Sequence, residues 1–178
     1  MLVFVTGNLN KVKQVEKYCH TSLQHKKIDL PEIQSLDTEE VIEHKVKEAY
    51  QQLHTPVLVE DVSLRFLALG KLPGTFIKWF LQELAEEGMC RLLDGYTDRS
   101  AIAQVTYGLY DGKEVHMFTA TANGTIADTP RGNSWGWNQI FIPEGHTKTY
   151  GEMNEEELAD VSMRKIALEK LELHLQKK

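Results

Sequence analysis

Leu2-Val3-Phe4-Val5-Thr6-Gly7-Asn8-Leu9-Asn10-Lys11-Val12 begins with four apolar residues and turns polar at Thr6. A short run that is apolar at every position fits a strand buried on both faces, as in a parallel sheet. Thr6-Gly7-Asn8 is a turn cluster that also supplies helix caps, and Val12, Val15 and Cys19 then recur at helical spacing. The unit reads strand–turn–helix.

Further along, the same alternation continues. A second strand is expected around Lys27-Ile28-Asp29-Leu30, closed by Pro31, which cannot donate to a ladder. Asp37 with Glu40 resembles a capping box, and Ile42, Val46, Ala49 and Leu53 follow on one helical face. Val57-Leu58-Val59 reads as a buried strand ending in Glu60-Asp61. A loop through Gly70-Lys71-Leu72-Pro73-Gly74 leads to a helix from Phe76 to Glu86 and a shorter one over Met89–Leu93. Residues 100–126 alternate around Asp111-Gly112, the signal of an antiparallel hairpin turning near 111–113. After Pro130-Arg131-Gly132-Asn133-Ser134 come Trp135-Gly136-Trp137 and a short strand, Ile140–Pro143. The end, roughly 155–176, is expected to be helical, with Ser162-Met163-Arg164 opening the last helix, Leu168, Leu171 and Leu175 on one face, and Lys177 and Lys178 at its C-terminus. These elements imply an α/β chain with a mixed sheet, one domain over 1–178 without a separable linker.

Composition narrows the class. The 178 residues are 42% hydrophobic and 26% charged, enough apolar material for a sizeable core. No apolar run approaches the roughly 18 residues of a membrane span, and the N-terminal apolar run is too short and uncharged for a secretory signal. A net charge of −6 and a pI near 5.6 argue against a nucleic-acid or anionic-lipid surface. Cys19 and Cys90 have neither zinc-like spacing nor a disulfide framework, so a reducing, cytoplasmic setting is expected.

Several residues stand out chemically. Lys11 and Lys13 fall in the first turns of a helix, where cations oppose the dipole by a few tenths of a kcal/mol each. An anion held by the turn's N–H groups, Thr6, Asn8 and Lys11 would resolve that conflict; solvated lysines on a plainly capped helix are the other reading. Glu60-Asp61 ends a buried strand, where ligands of open α/β sheets bind. Such a pair suits Mg²⁺ and activation of a water, or it is a solvated loop pair. Strand alternation aims the two carboxylates differently, so they need different roles. Glu32 supplies another carboxylate. Lys45 borders a helix's core face, and Lys78 sits among Phe76, Ile77, Trp79 and Phe80; either engages a ligand or snorkels. Trp135-Gly136-Trp137-Asn138 offers stacking faces and an amide, or two core rings. Arg164 falls on a packing face and calls for a buried anion. A Walker loop, a dinucleotide fingerprint and HExxH are all absent. Gly132-Asn133-Ser134-Trp135-Gly136 falls in a loop that leads to a strand, so it is not a nucleophile elbow. Phosphate turn, carboxylates, lysines and aromatic platform together suggest nucleoside triphosphate hydrolysis.

On these residues the sequence resembles the inosine triphosphate pyrophosphatase family nearly end to end. The match runs through Phe4-Val5-Thr6-Gly7-Asn8 with Lys11, Lys27–Glu32, Pro56–Asp61, Leu72-Pro73-Gly74 into Ile77–Phe80, Pro130-Arg131-Gly132 and Gly136-Trp137. The resemblance implies an elongated mixed sheet with two α/β lobes around a central nucleotide cleft, and a homodimer. It implies cleavage between the α and β phosphates with Mg²⁺, for which Mn²⁺ can substitute, releasing a monophosphate and pyrophosphate. Carried over by position, Thr6, Gly7, Asn8 and Lys11 hold the triphosphate, assisted by Lys45 and Lys78. Glu32, Glu60 and Asp61 are metal-linked. Asp61, Glu60 and Lys11 form the catalytic set, with Asp61 orienting or deprotonating the water. Trp135, Gly136, Trp137, Asn138 and Met163 border the base, with Arg164 near its edge. The family motif usually has Asp-Pro where this chain has Asn138-Gln139, a histidine at Met163 and a lysine at Leu158. Sites built on hydrogen bonds lose discrimination when partners go, so altered base preference is expected. A catalytically weak nucleotide-binding protein, or a hydrolase of another phosphorylated compound, is the alternative.

Overall fold

The computed structural model describes residues 2–19 and 23–177. β1 (Leu2–Val5) leads through Thr6-Gly7-Asn8 into α1 (Leu9–Tyr18). Asn8 caps α1: its side chain accepts from the Asn10 amide at 2.9 Å, and its own amide donates to Thr6 Oγ1 at 3.1 Å. β2 (Leu23–Lys26) pairs parallel to β1, from Leu2↔Leu23 to Val5↔Lys26. This strand precedes the expected Lys27–Leu30. β1 stops at Val5, and the Thr6 amide closes the pair on Lys26 O at 3.0 Å, so residues 27–30 run past its end. Ile28 and Leu30 still serve the core, as partly buried side chains packed against it.

α2 (Thr38–Leu53) starts at Asp37, whose carboxylate accepts from the Glu39 amide at 2.9 Å. Glu40 does not reach back to the cap backbone itself. Ser35 Oγ donates to its carboxylate at 2.6 Å and accepts from the Asp37 amide at 3.0 Å. β3 (Val57–Phe66) corrects the expected strand end: it runs straight through Glu60 and Asp61, with Leu64 and Phe66 fully buried beyond them. Among the described residues it pairs parallel with β1 at Val57 and Leu58. Glu60 and Asp61 therefore lie mid-strand, just past the point where β1 turns away into the Thr6-Gly7-Asn8 turn.

A two-residue strand, β4 (Pro73–Gly74), pairs antiparallel with Leu64 and Arg65. α3 (Ile77–Arg91) contains a break at Ala85, with φ 51° and ψ −177°, so the two expected helices exist as two arms of one element. β5 (Ser100–Tyr110) and β6 (Val115–Ile126) form the hairpin. Asp111 Oδ1 accepts from the Lys113 and Glu114 amides, and Gly112 takes φ 93° in the turn. β7 (Phe141–Pro143) pairs antiparallel with Gly124–Ile126. The helical end comprises α4 (Glu155–Val161) and α5 (Met163–Leu175), separated by Ser162 in extended backbone, so the last helix opens where Ser162-Met163-Arg164 was expected to open it. Lys178, expected at its C-terminus, lies outside the described residues.

Among the described residues, seven strands form one mixed sheet in the order β2-β1-β3-β5-β6-β7, with β4 joined to β3. The chain divides into two compact units. One comprises residues 1–61, 105–120 and 163–178, the other 62–104 and 121–162. In the first, Val3, Val5, Val57 and Val59 pack with Ile42, Val46 and Ala49 of α2. Each fully buried valine or isoleucine there contributes roughly 1.5–3 kcal/mol. Gly108 permits the close approach of α2, since a Cβ there would lie 2.4 Å from Ile42 Cγ2. In the second, Trp137, Phe141 and Tyr150 stack edge to face and tilted. Arg99 ties the Cys90, Ile126 and Ala127 carbonyls together at 2.8–2.9 Å. No described helix is long and apolar enough to cross a membrane.

Candidate active site

Glu60 is the centre of the first unit's polar interior. Its side chain is fully buried, and Oε1 meets Lys11 Nζ at 3.3 Å and Arg164 Nη2 at 3.2 Å. Both cations come from the first turn of a helix, α1 and α5, and neither first turn carries an acidic residue. Helix dipoles disfavour cations there, so the buried carboxylate offsets what the sequence left unfavourable. Burial pushes the Glu60 carboxyl up, but Lys11 and Arg164 outweigh it and hold it below the ordinary range. The Tyr107 hydroxyl lies against the same carboxylate and pulls it the same way. Even so, neither that hydroxyl nor Glu60 Oε2 has a well-formed hydrogen bond. Burial, and then the Glu60 charge, push the Tyr107 phenol far up, so it stays protonated.

Asp61, next on β3, points to the opposite face and belongs to another cluster. Lys45 Nζ bridges Asp61 Oδ2 at 3.2 Å and Glu32 Oε1 at 2.9 Å. Burial pulls the Lys45 amine down, yet the two carboxylates prevail and raise it, so it stays charged. The clusters differ in sign. Lys11, Arg164 and Glu60 sum formally to +1; Lys45, Glu32 and Asp61 sum to −1. The first suits phosphate oxygens and the second suits a cation.

The structure separates the three carboxylates expected together at a metal. Among the described residues, no group of three or more His, Cys, Asp or Glu side chains forms a metal cage. Alternation along β3 is the reason: Asp61 joins Glu32, whereas Glu60 turns inward between two cations. Two partly exposed hard oxygen donors fit a Mg²⁺ ion, which takes one or two carboxylates and completes its shell with phosphate and water oxygens.

Of the remaining expected residues, Thr6, Gly7 and Asn8 form the turn before Lys11, and Gly7 lies beneath the Lys27 side chain. Arg164 finds its buried anion, Glu60, and is held there by its guanidinium. Met163 is buried beside it in sequence. Lys78 is exposed, with its ammonium 5.0 Å from the ring centroid of its exposed neighbour Trp79, so the pair stands at the surface and not in a buried apolar setting. In the second unit, Trp137 is a core ring, 4% exposed. Trp135, half-buried, is the more accessible of the pair. Gly136 opens a 3₁₀ turn with φ 60°, and the Asn138 amide donates to Ser134 Oγ at 3.0 Å. Tyr107 was not anticipated: an inward aromatic on a strand gives no sign that its hydroxyl meets a charge.

Comparison with known proteins bears on the fold and the family. Solved structures of Ham1 proteins share the fold. That from Coxiella burnetii has a TM-score of 0.86 at 23% identity, covering 99% of this chain and 98% of that one. That from Staphylococcus aureus has a TM-score of 0.81 at 21% identity, covering 99% of both chains. The sequence matches the Ham1 family over residues 2–174, and the chain belongs to that family. It is similar to an inosine triphosphate pyrophosphatase of Yarrowia lipolytica, 44% identical over 183 residues, spanning 99% of this chain and 96% of the relative.

Proposed function

We infer that the chain is a nucleoside triphosphate pyrophosphatase acting on non-canonical purine nucleotides such as ITP, dITP and XTP. The observation that carries this reading is the pair of oppositely charged clusters built from consecutive residues of β3, one presenting Lys11 at a helix N-terminus and the other presenting Asp61 and Glu32. The relative at 44% identity supports it.

In this reading Lys11 and the amides of the Thr6-Gly7-Asn8 turn bind phosphate oxygens, with Lys45 adding positive charge. Arg164 and Glu60 keep Lys11 aimed. Asp61 orients the attacking water and accepts its proton. Water adds at phosphorus, the α–β anhydride P–O bond breaks, and pyrophosphate leaves with the electron pair of that bond. Glu32 and Asp61 would hold Mg²⁺ or its substitute Mn²⁺, which when bound neutralises phosphate charge. The working form is a homodimer. Base preference is relaxed, because Asn138 is tied to Ser134 and Met163 offers only a buried thioether.

The test is pyrophosphate release with Mg²⁺ across ITP, XTP, dUTP and the four canonical triphosphates, with Asp61→Asn as control. Turnover by the native chain that falls at least a hundredfold in Asp61→Asn, with the fold retained, is expected. Equal turnover by both removes Asp61 from its role. Silence across the panel, with nucleotide binding retained, favours the non-catalytic alternative.

A further inference from the structure

Tyr107 on β5 has a fully buried ring, tilted against Phe4 at a centroid distance of 6.5 Å. Its hydroxyl lies against the Glu60 carboxylate and the Arg164 guanidinium. It forms no hydrogen bond of good geometry, and Glu60 Oε2 is likewise buried without one. A buried hydroxyl left unbonded is a net cost. Phenylalanine would fill the same space without that cost, so packing alone does not account for the oxygen.

The charges around Glu60 point to a use for it, resting on the reading that Lys11 engages substrate phosphates. Lys11 Nζ lies 3.3 Å from Glu60 Oε1 and 3.5 Å from the Glu60 carbonyl oxygen. A phosphate that draws the ammonium outward leaves the buried carboxylate with Arg164 as its remaining cation at 3.2 Å. A buried carboxylate that loses a partner is destabilised unless another donor replaces it. The nearby hydroxyl is such a donor.

We propose that Tyr107 is a positioning residue that relieves Lys11: with substrate bound, its hydroxyl donates a hydrogen bond to the Glu60 carboxylate, freeing Lys11 to turn from carboxylate to phosphate. No covalent bond changes and the proton stays on the tyrosine oxygen. In the ligand-free protein the hydroxyl waits beside the carboxylate, as its geometry has it.

Tyr107→Phe tests this with inorganic tripolyphosphate, titrated calorimetrically without divalent metal, alongside thermal unfolding and initial rates on ITP with Mg²⁺. The variant is expected to unfold at or above the native temperature, because an unbonded hydroxyl has gone. It should bind tripolyphosphate roughly tenfold or more weakly, the loss of one charge-assisted hydrogen bond. KM should rise by a similar factor, with kcat less affected. In a Lys11→Met background, Tyr107→Phe should add no further loss, since no ammonium remains to be released. A purely structural tyrosine would move the unfolding temperature and leave the tripolyphosphate affinity alone. Unchanged affinity and KM in a folded Tyr107→Phe overturn the proposal while leaving the proposed activity standing. Native protein that neither binds tripolyphosphate nor releases pyrophosphate overturns both. Should Tyr107→Phe not fold, a crystal structure of the native chain with tripolyphosphate decides: Tyr107 Oη within about 3 Å of a Glu60 carboxylate oxygen upholds the proposal, and an unchanged separation overturns it.

Discussion

Replacing Arg164 by Met keeps a long, flexible apolar stem on α5 and removes one of the two cations on a fully buried carboxylate. Arg164 is 7% exposed and Glu60 4%, so solvent cannot take over the lost charge. Breaking a buried ion pair from one side costs about 3–5 kcal/mol. Lys11 stays on the same oxygen, which brings the expected loss to about 2–3 kcal/mol at neutral pH. At about 2–4 °C per kcal/mol for a chain of this size, that is a fall of roughly 4–12 °C in unfolding temperature. The assay is urea unfolding of four proteins: native, Arg164→Met, Glu60→Gln and the double variant. The double variant should recover most of what Arg164→Met loses, because the uncompensated charge has gone.

The pH dependence has a definite sign. Burial raises the Glu60 carboxyl, but its two cations hold it below the ordinary 4.5 in the native chain. A depressed folded value contributes stability above the unfolded value, lost as pH falls through the folded one. With Arg164 gone, burial meets less opposition, so the variant's Glu60 takes up its proton at higher pH. The gap between native and variant should be widest near neutrality and narrow as pH drops below 4.5. A loss under about 1 kcal/mol, or a gap that widens toward acid, refutes the view of Glu60 as a charge held by two cations.

Two further outcomes are expected. Met163→His combined with Leu158→Lys should move the ratio of kcat/KM toward ITP and XTP over the canonical nucleotides, by about tenfold or more; an unchanged ratio in a substrate panel counts against these positions as base readers. Ala85→Gly should stabilise by about 1 kcal/mol, since Ala85 is exposed and its φ of 51° with ψ of −177° belongs to glycine. Calorimetric melting would detect the rise of a few degrees, and a fall would mean that the break owes its shape to contacts rather than strain.

Local signals carried much of the fold. The β1–turn–α1 unit, the Asp37 cap, the α2 face and the hairpin at Asp111-Gly112 follow from spacing and turn chemistry that act over a few residues. Alternation also foretold that Glu60 and Asp61 would point in different directions, and they meet different partners. What local signals could not convey was that β3 continues past them. A carboxylate inside a strand is sustained there by Lys11 and Arg164, which are 49 and 104 residues away in sequence. The β2 register was fixed by where β1 stops, not by the apolar residues at 28 and 30. Lys78 shows the limit of reading neighbours in sequence: a helix rotates each residue about 100° from the last, so buried Ile77 says little about Lys78. The start of the last helix at Ser162-Met163-Arg164 was legible, and it puts Arg164 in a first turn; the Leu168–Leu175 pattern carried no sign of it.

The interleaving of the two units has a consequence at the level of the gene. Their borders fall within β3, β5 and β6 and between α4 and α5, so neither unit corresponds to an uninterrupted stretch of coding sequence. A fragment ending at residue 104 would carry Lys11, Glu32, Lys45, Glu60 and Asp61 but neither Tyr107 nor Arg164, leaving a carboxylate without its companions. Recombination at any single point therefore cannot transplant the charged centre by itself. In this architecture the centre is inherited whole or not at all.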